Sequence, residues 1–197
     1  MSTATTTTPP QPQPQPAAPR MTAEEFGLKY AGDHVEYVNG EVKEMSMSGG
    51  GKHGKVCGRV TFYLTQHADN LGHIFINDTF VKVPTPDDPE RVYGPDVCFV
   101  SFKRMPKDAE IPVGTITVIP DIVFEVRSPS DTWTAAIGKV VDYLDAGVRV
   151  VVLLDPDTRT ASVCGKDFWQ RMMNATDTLT IPEVLPGFSV PVARFFE

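Results

Sequence analysis

The chain has 197 residues, with 18 Lys and Arg against 25 Asp and Glu, a formal net charge of −7 at pH 7. That balance argues against a binder whose affinity comes from diffuse neutralisation of phosphates. It leaves room for one local basic groove beside acidic metal ligands. No apolar run approaches the ~20 residues that a membrane helix needs. Cys57, Cys98 and Cys164 are odd in number, far apart and without C-x-x-C spacing, so they read as reduced core residues of a cytoplasmic protein.

Residues 1–20 are mostly Thr, Pro, Gln and Ala, with no aliphatic side chain larger than Ala after Met1. Such a segment cannot bury enough apolar surface to offset its ordering entropy and reads as a disordered tail. Residues 21–197 suit one domain. Thr22 and Glu25 fit a capping box that opens a short helix. Asn39-Gly40 between two short alternating runs, from Val35 to Met45, predicts a two-residue hairpin. Ser46 to Gly51 reads as a Gly-rich connection. Val56, Val60, Leu64 and Ala68 then recur at helical spacing, which predicts a helix over roughly 53–70.

The stretch from Ile74 to Val83 reads as one strand or two halves of one, and Pro84 to Glu90 as a turn. Val97 to Val100 is a strand opened by Gly94-Pro95-Asp96, and Lys103 to Thr115 a polar loop. Ile122 to Arg127 is a further strand, stopped by Ser128-Pro129-Ser130-Asp131. From Trp133 to Ala146, the apolar residues Ala136, Ile137, Val140, Val141 and Leu144 make one helical stripe. Gly147 stands where a left-handed C-cap needs it. Val148 to Leu154 is apolar throughout, as in a strand buried on both faces. Strand, helix and buried strand make a βαβ unit with parallel strands. A short strand, Thr160 to Val163, follows. A Pro/Gly-punctuated tail, Ile181 to Phe196, closes the chain, its aromatics packed on the core. The fold class is α/β (α+β): a mixed central sheet flanked by helices, with an N-terminal hairpin.

Two strand-associated carboxylates carry the chemistry. Asp96 stands at the mouth of one strand, and Glu125 lies inside another between Phe124 and Val126. Alternation sends Ile122, Phe124 and Val126 to one face and Val123, Glu125 and Arg127 to the other. An acid inside so apolar a run is costly without a cation, a metal or solvent. Mg²⁺ is held by one or two carboxylates with waters and substrate phosphates, a geometry that acids on adjacent strands can supply. The residues alone leave simpler readings open: Asp96 as a turn residue, and Glu125 in a structural ion pair with Arg127 or a lysine.

The strings Gly94–Val100 (GPDVCFV), Pro120–Asp131 (PDIVFEVRSPSD), Lys139–Val148 (KVVDYLDAGV) and Leu154–Pro156 resemble the Uma-type restriction endonuclease family of the PD-(D/E)XK nuclease superfamily. Glu36 to Glu41 (EYVNGE) through His53 resembles its N-terminal hairpin and helix, and Leu185–Phe188 (LPGF) its C-terminal signature. The resemblance implies a restriction-endonuclease-like core and Mg²⁺- or Mn²⁺-dependent hydrolysis of DNA phosphodiesters. It implies metal ligation by Asp96 and Glu125, with Glu41 resembling the additional acid of many such nucleases. The superfamily's lysine stands two residues after the Glu, where this chain has Arg127. Arg127 stays protonated and is suited to steady the scissile phosphate. Lys139 resembles the family's displaced lysine, which orients or activates water. His53, at a helix start, reads as a phosphate contact or a surface histidine. Asp131 reads as a helix N-cap and Tyr143 as a packing residue at the core's edge. Asp87-Asp88 and Asp155-Pro156 read as turns. A homodimer is implied by analogy, one site for each strand of a duplex. The rivals are a catalytically degenerate nuclease-fold module that binds nucleic acid, and a small-molecule-binding α/β protein whose acids are structural.

Overall fold

The computed structural model describes residues 20–45, 50–77, 79–166 and 168–197. The tail expected over residues 1–20 lies outside them apart from Arg20. So do residues 46–49 of the Gly-rich connection.

The N-terminal capping box forms. The Glu25 backbone N–H donates to Thr22 Oγ1 at 3.1 Å and the Thr22 N–H to Glu25 Oε2 at 2.8 Å, opening α1 (Ala23–Lys29). A hairpin follows, β1 (Val35–Val38) and β2 (Glu41–Glu44). Asn39 and Gly40 take positive φ of 56° and 80°, the conformation that a two-residue turn of this twist demands. Phe26 of α1 stacks on Tyr37 of β1, with centroids 5.3 Å apart, and meets Phe80 at 5.0 Å. That aromatic cluster fixes the hairpin against the helix.

The six-stranded main sheet begins after α2 (Gly50–Ala68), whose Val56, Val60, Leu64 and Ala68 are buried as their spacing predicts. The stretch from Ile74 to Val83 divides between two sheets. β3 (Gly72–Ile76) joins the main sheet, whereas β4 (Val81–Lys82) pairs with β5 (Val92–Tyr93), a two-residue strand with no sequence signal of its own. β5 also pairs with β1, giving a small sheet in the order β2-β1-β5-β4.

β6 (Val97–Ser101) lies antiparallel to β3 and to β7 (Ile122–Val126). α3 (Trp133–Ala146) then leads to β8 (Val150–Asp155), parallel to β7 with Ile122 opposite Val150. The expected βαβ unit is present, and Gly147 caps α3 in the left-handed region at φ 104°. β9 (Thr160–Gly165) and β10 (Phe168–Met173) complete the order β10-β9-β8-β7-β6-β3. β11 (Thr178–Ile181) and β12 (Leu185–Pro191) form a separate hairpin, ending in a 3₁₀ turn at Val192–Phe195. Phe188 and Phe195 bury themselves beside α2, as expected for the tail aromatics.

The sheet separates two cores. Ile122, Phe124 and Val126 pack with α2, whereas Val123 packs with Val140 and Tyr143 of α3. One expectation on α3 needs correction. Ile137 and Val141 are 38% and 44% exposed, and the buried residues are Val140 and Tyr143. The helix is rotated from its apolar stripe because polar contacts of Lys139 and Tyr143, described next, help set which face meets the sheet.

Candidate active site

In the β6–β7 ladder Val97 pairs with Phe124, so the next step sets Asp96 opposite Glu125. Asp96 finishes that ladder with its side chain. Its Oδ2 accepts the Val126 backbone N–H at 2.7 Å, and His53 Nε2 of α2 lies 3.2 Å from the same oxygen. The hydrogen bond to Asp96, helped by contact with Cys57, raises the His53 pKa to about 10 against the opposing effect of burial. His53 is therefore an imidazolium that neutralises Asp96.

Glu125 points to the α3 side of the sheet. Tyr143, fully buried, donates its hydroxyl to Glu125 Oε1 at 2.7 Å. Loss of solvent pushes the Glu125 carboxyl up to about 8; Lys139 pulls it down and Asp96 adds to the rise. Lys139 Nζ lies 2.5 Å from Glu36 Oε1 of β1 and 5.2 Å from the centroid of the Tyr93 ring. Burial works against its charge, but Glu125 and Glu36 outweigh that cost and hold its pKa above the ordinary lysine value. A second layer supports it: Tyr93 donates to Asp142 at 2.6 Å, and Asp142 pairs with Arg91.

These groups line one cavity of about 460 Å³, whose walls include Glu36, His53, Asp96, Glu125 and Lys139. Asp96, Glu125, Lys139 and His53, singled out from the sequence, thus meet on a common space. Arg127 does not line it. Its Nη2 lies 3.2 Å from both Asp155 Oδ1 and Asp157 Oδ2, and its guanidinium sits 5.2 Å from the Trp133 ring centroid. Asp155, read as a turn residue, is buried as one of its anchors.

Glu41 needs a correction as a metal ligand. It is exposed on the outer strand of the hairpin and does not line the cavity. Glu36, on the inner strand, occupies the cavity wall instead. Thr132, not Asp131, caps α3: its Oγ1 accepts the Ala135 N–H at 3.2 Å. Asp131 accepts the Ser128 N–H at 2.8 Å and lines the cavity. Tyr143 is not at the core's edge but beneath Glu125. Asp88, read with Asp87 as a turn, is buried and accepts the Asn39 N–H at 2.6 Å, tying the hairpin turn to the following loop. Glu36 has no role in the sequence reading, and Tyr143 only one of packing; a glutamate facing inward on a half-buried strand is the one available signal for Glu36.

Residues 23–193 match the family described as "Uma2: Putative restriction endonuclease". The fold resembles the crystal structure described as "a putative nuclease belonging to DUF820 from Anabaena variabilis". The TM-score is 0.74 and the identity 19%, and the match covers 89% of this chain and 97% of that one. At that identity the likeness speaks for the fold alone. No curated protein matches the chain. No helix among the described residues is long and apolar enough to cross a membrane.

Proposed function

The chain belongs to the Uma2 family, described as "Putative restriction endonuclease", and on that premise we propose that its central cavity is the catalytic centre of a metal-dependent DNA endonuclease. The observation that carries this reading is the convergence of Asp96, Glu125 and Lys139, from three different elements, on one space. The donor set fits a hard divalent ion such as Mg²⁺ or Mn²⁺: two carboxylates from adjacent strands, with room for waters and a phosphate. Such an ion, when bound, polarises a phosphate oxygen and lowers the pKa of an attacking water.

In this reading Asp96 and Glu125 hold the ion. Tyr143 fixes the Glu125 carboxyl through its hydroxyl. Lys139 keeps its proton, so it orients the water and stabilises charge on the phosphate instead of accepting a proton. Glu36 holds the Lys139 ammonium in place. His53, its two ring nitrogens facing Asp96 and Cys57, holds the Asp96 carboxylate in place and adds positive charge at the cavity's edge. Arg127, engaged by two aspartates, steadies the turn between β7 and α3 and does not grip the phosphate. A homodimer, with one centre for each strand, is the assembly this reading expects, and sedimentation equilibrium tests it.

One observation favours a second reading, a binding module without turnover: the position two residues after Glu125 holds an arginine occupied elsewhere. Supercoiled plasmid incubated with Mg²⁺ or Mn²⁺ separates the two. Nicked or linear product is expected from the wild type, and none from Asp96→Asn or Glu125→Gln, each still giving a cooperative thermal melt. Full activity in both variants removes the proposed centre. A gel shift without cleavage supports the module. Cleavage of RNA but not DNA corrects the substrate.

A further inference from the structure

His53 and Cys57 stand four residues apart on α2, one turn above the other on the same helix face. Cys57 Sγ lies 3.5 Å from His53 Nδ1, and Asp96 Oδ2 lies 3.2 Å from His53 Nε2. Ligand atoms of all three residues fall within 4.8 Å of one another, the one group of this kind among the described residues. Tetrahedral zinc, with Zn–S near ~2.3 Å and Zn–N and Zn–O near ~2.0–2.2 Å, needs its ligand atoms under ~4 Å apart. The thiol faces Nδ1 and the carboxylate faces Nε2, so to share one ion the imidazole must turn until a single nitrogen faces both partners.

The chemistry of this donor set differs from that of the carboxylate pair. Mg²⁺ takes oxygen ligands and rejects a thiolate. Thiolate, imidazole and carboxylate together are the donors of a borderline-soft ion, and three protein ligands leave a fourth position for water. The buried thiol and the His53 imidazolium must each give up a proton to ligate, and a bound metal brings about both losses, releasing the protons to solvent. His53 and Asp96 line the central cavity and give an ion its path in.

We propose that His53, Cys57 and Asp96 form a second metal site, selective for a thiophilic divalent ion of the zinc type. Because it draws on Asp96, it competes with the hard-metal site. Zn²⁺ held by Cys57 and His53 withdraws one of the two carboxylates that Mg²⁺ needs, and so switches cleavage off. The switching rests on the nuclease reading above; the binding does not.

Co²⁺ serves as the spectroscopic probe on the full chain, kept reduced with a phosphine. One equivalent should give a thiolate-to-cobalt charge-transfer band that one equivalent of Zn²⁺ abolishes. Cys57→Ala, with Cys57→Ser as the volume-matched second variant, should lose the band. Their affinity should fall by more than the roughly 10–100-fold that loss of an outer-shell partner costs. Glu125→Gln should keep the band although it lacks cleavage. No band in the wild type overturns the proposal, as does a band that survives in both Cys57 variants, since the thiolate would then be Cys98 or Cys164. In plasmid assays Zn²⁺ should suppress Mg²⁺-dependent cleavage by the wild type and spare the Cys57 variants; equal suppression of both overturns the competition. A wild type that shows the cobalt band but never cleaves refutes the nuclease reading and leaves the metal site standing.

Discussion

Lys139 and Arg127 are the two cations that the sequence offers for catalysis, and their surroundings assign them different work. Lys139 faces the cavity with its charge reinforced by Glu125 and Glu36. Arg127 spends its guanidinium on Asp155, Asp157 and the Trp133 ring. Lys139→Ala should therefore lower kcat by about 10²–10³, the cost of deleting one preorganised charge stabiliser; it also leaves Glu36 buried without its ammonium partner, so Tm should fall as well. Arg127→Ala should affect stability more than rate. It removes charge-assisted hydrogen bonds of about 1.5–3 kcal/mol and should lower the melting temperature with a smaller loss of rate. Matched measurements of kcat and Tm on the two variants test this, and a dead but stable Arg127→Ala would return the catalytic cation to the strand. The legibility of these residues divides in the same way. Asp96 and Glu125 stand out locally, each an acid at a strand mouth or inside an apolar run. Glu36 did not, because its meaning comes from Lys139, 103 residues away. Glu41, which resembles the superfamily's additional acid, lies on the outer strand, and only the pairing of β1 with β5 decides which strand of the hairpin is the inner one.

At the scale of elements, signals confined to a few residues were readable: the capping box of α1, the Asn39-Gly40 turn, the Gly147 cap and the periodicity of α2. β5 and β10 were not, since each is defined by partners distant in the chain or by an edge position that imposes no apolar pattern. The rotation of α3 was hidden for a related reason: its inner face carries Lys139 and Tyr143, whose buried partners are polar. α1 illustrates how an element far from the chemistry supports it. Gly27 faces the Gly114–Thr115 backbone so closely that a Cβ there would lie 2.3 Å from the Thr115 nitrogen. Thr115 Oγ1 also donates to the Ala23 carbonyl at 2.6 Å. Gly27→Ala must push the loop away, an overpacking cost of about 1–3 kcal/mol, or about 2–4 °C in Tm for each kcal/mol. Phe26 stacks on Tyr37, next to Glu36, so the shift should pass to the hairpin and reduce activity as well. Thermal melts read the first effect and plasmid cleavage the second. An unchanged Tm would show that the loop yields freely and that α1 does not brace the hairpin.

For the whole molecule, the cavity is a place where folding stability and metal binding work against each other. Without a metal, Glu125 keeps a proton up to about pH 8, whereas an ordinary glutamate loses its proton near 4.5. Between those values the folded chain binds a proton that the unfolded chain has released, so stability is fully present below 4.5 and declines as pH rises towards 8. His53 acts in the same direction over a higher window, from 6.5 to about 10, because Asp96 holds its proton in the folded state alone. A divalent ion at Asp96 and Glu125 supplies the positive charge that the Glu125 proton otherwise provides, and must displace that proton to bind. Its apparent affinity should therefore rise by up to about tenfold per pH unit until Glu125 ionises unaided. The stabilisation follows the logarithm of metal concentration over Kd, so it grows with that affinity. Melts in EDTA should show Tm falling from about pH 5 to about pH 8, and melts in excess Mg²⁺ should show the two curves separating across that window. Glu125→Gln carries no titratable proton at this position, so it should flatten the EDTA curve over the lower half of the window and abolish the separation. A Mg²⁺ shift of constant size at every pH would mean that the ion binds away from Glu125, and the proposed centre would lose its second ligand.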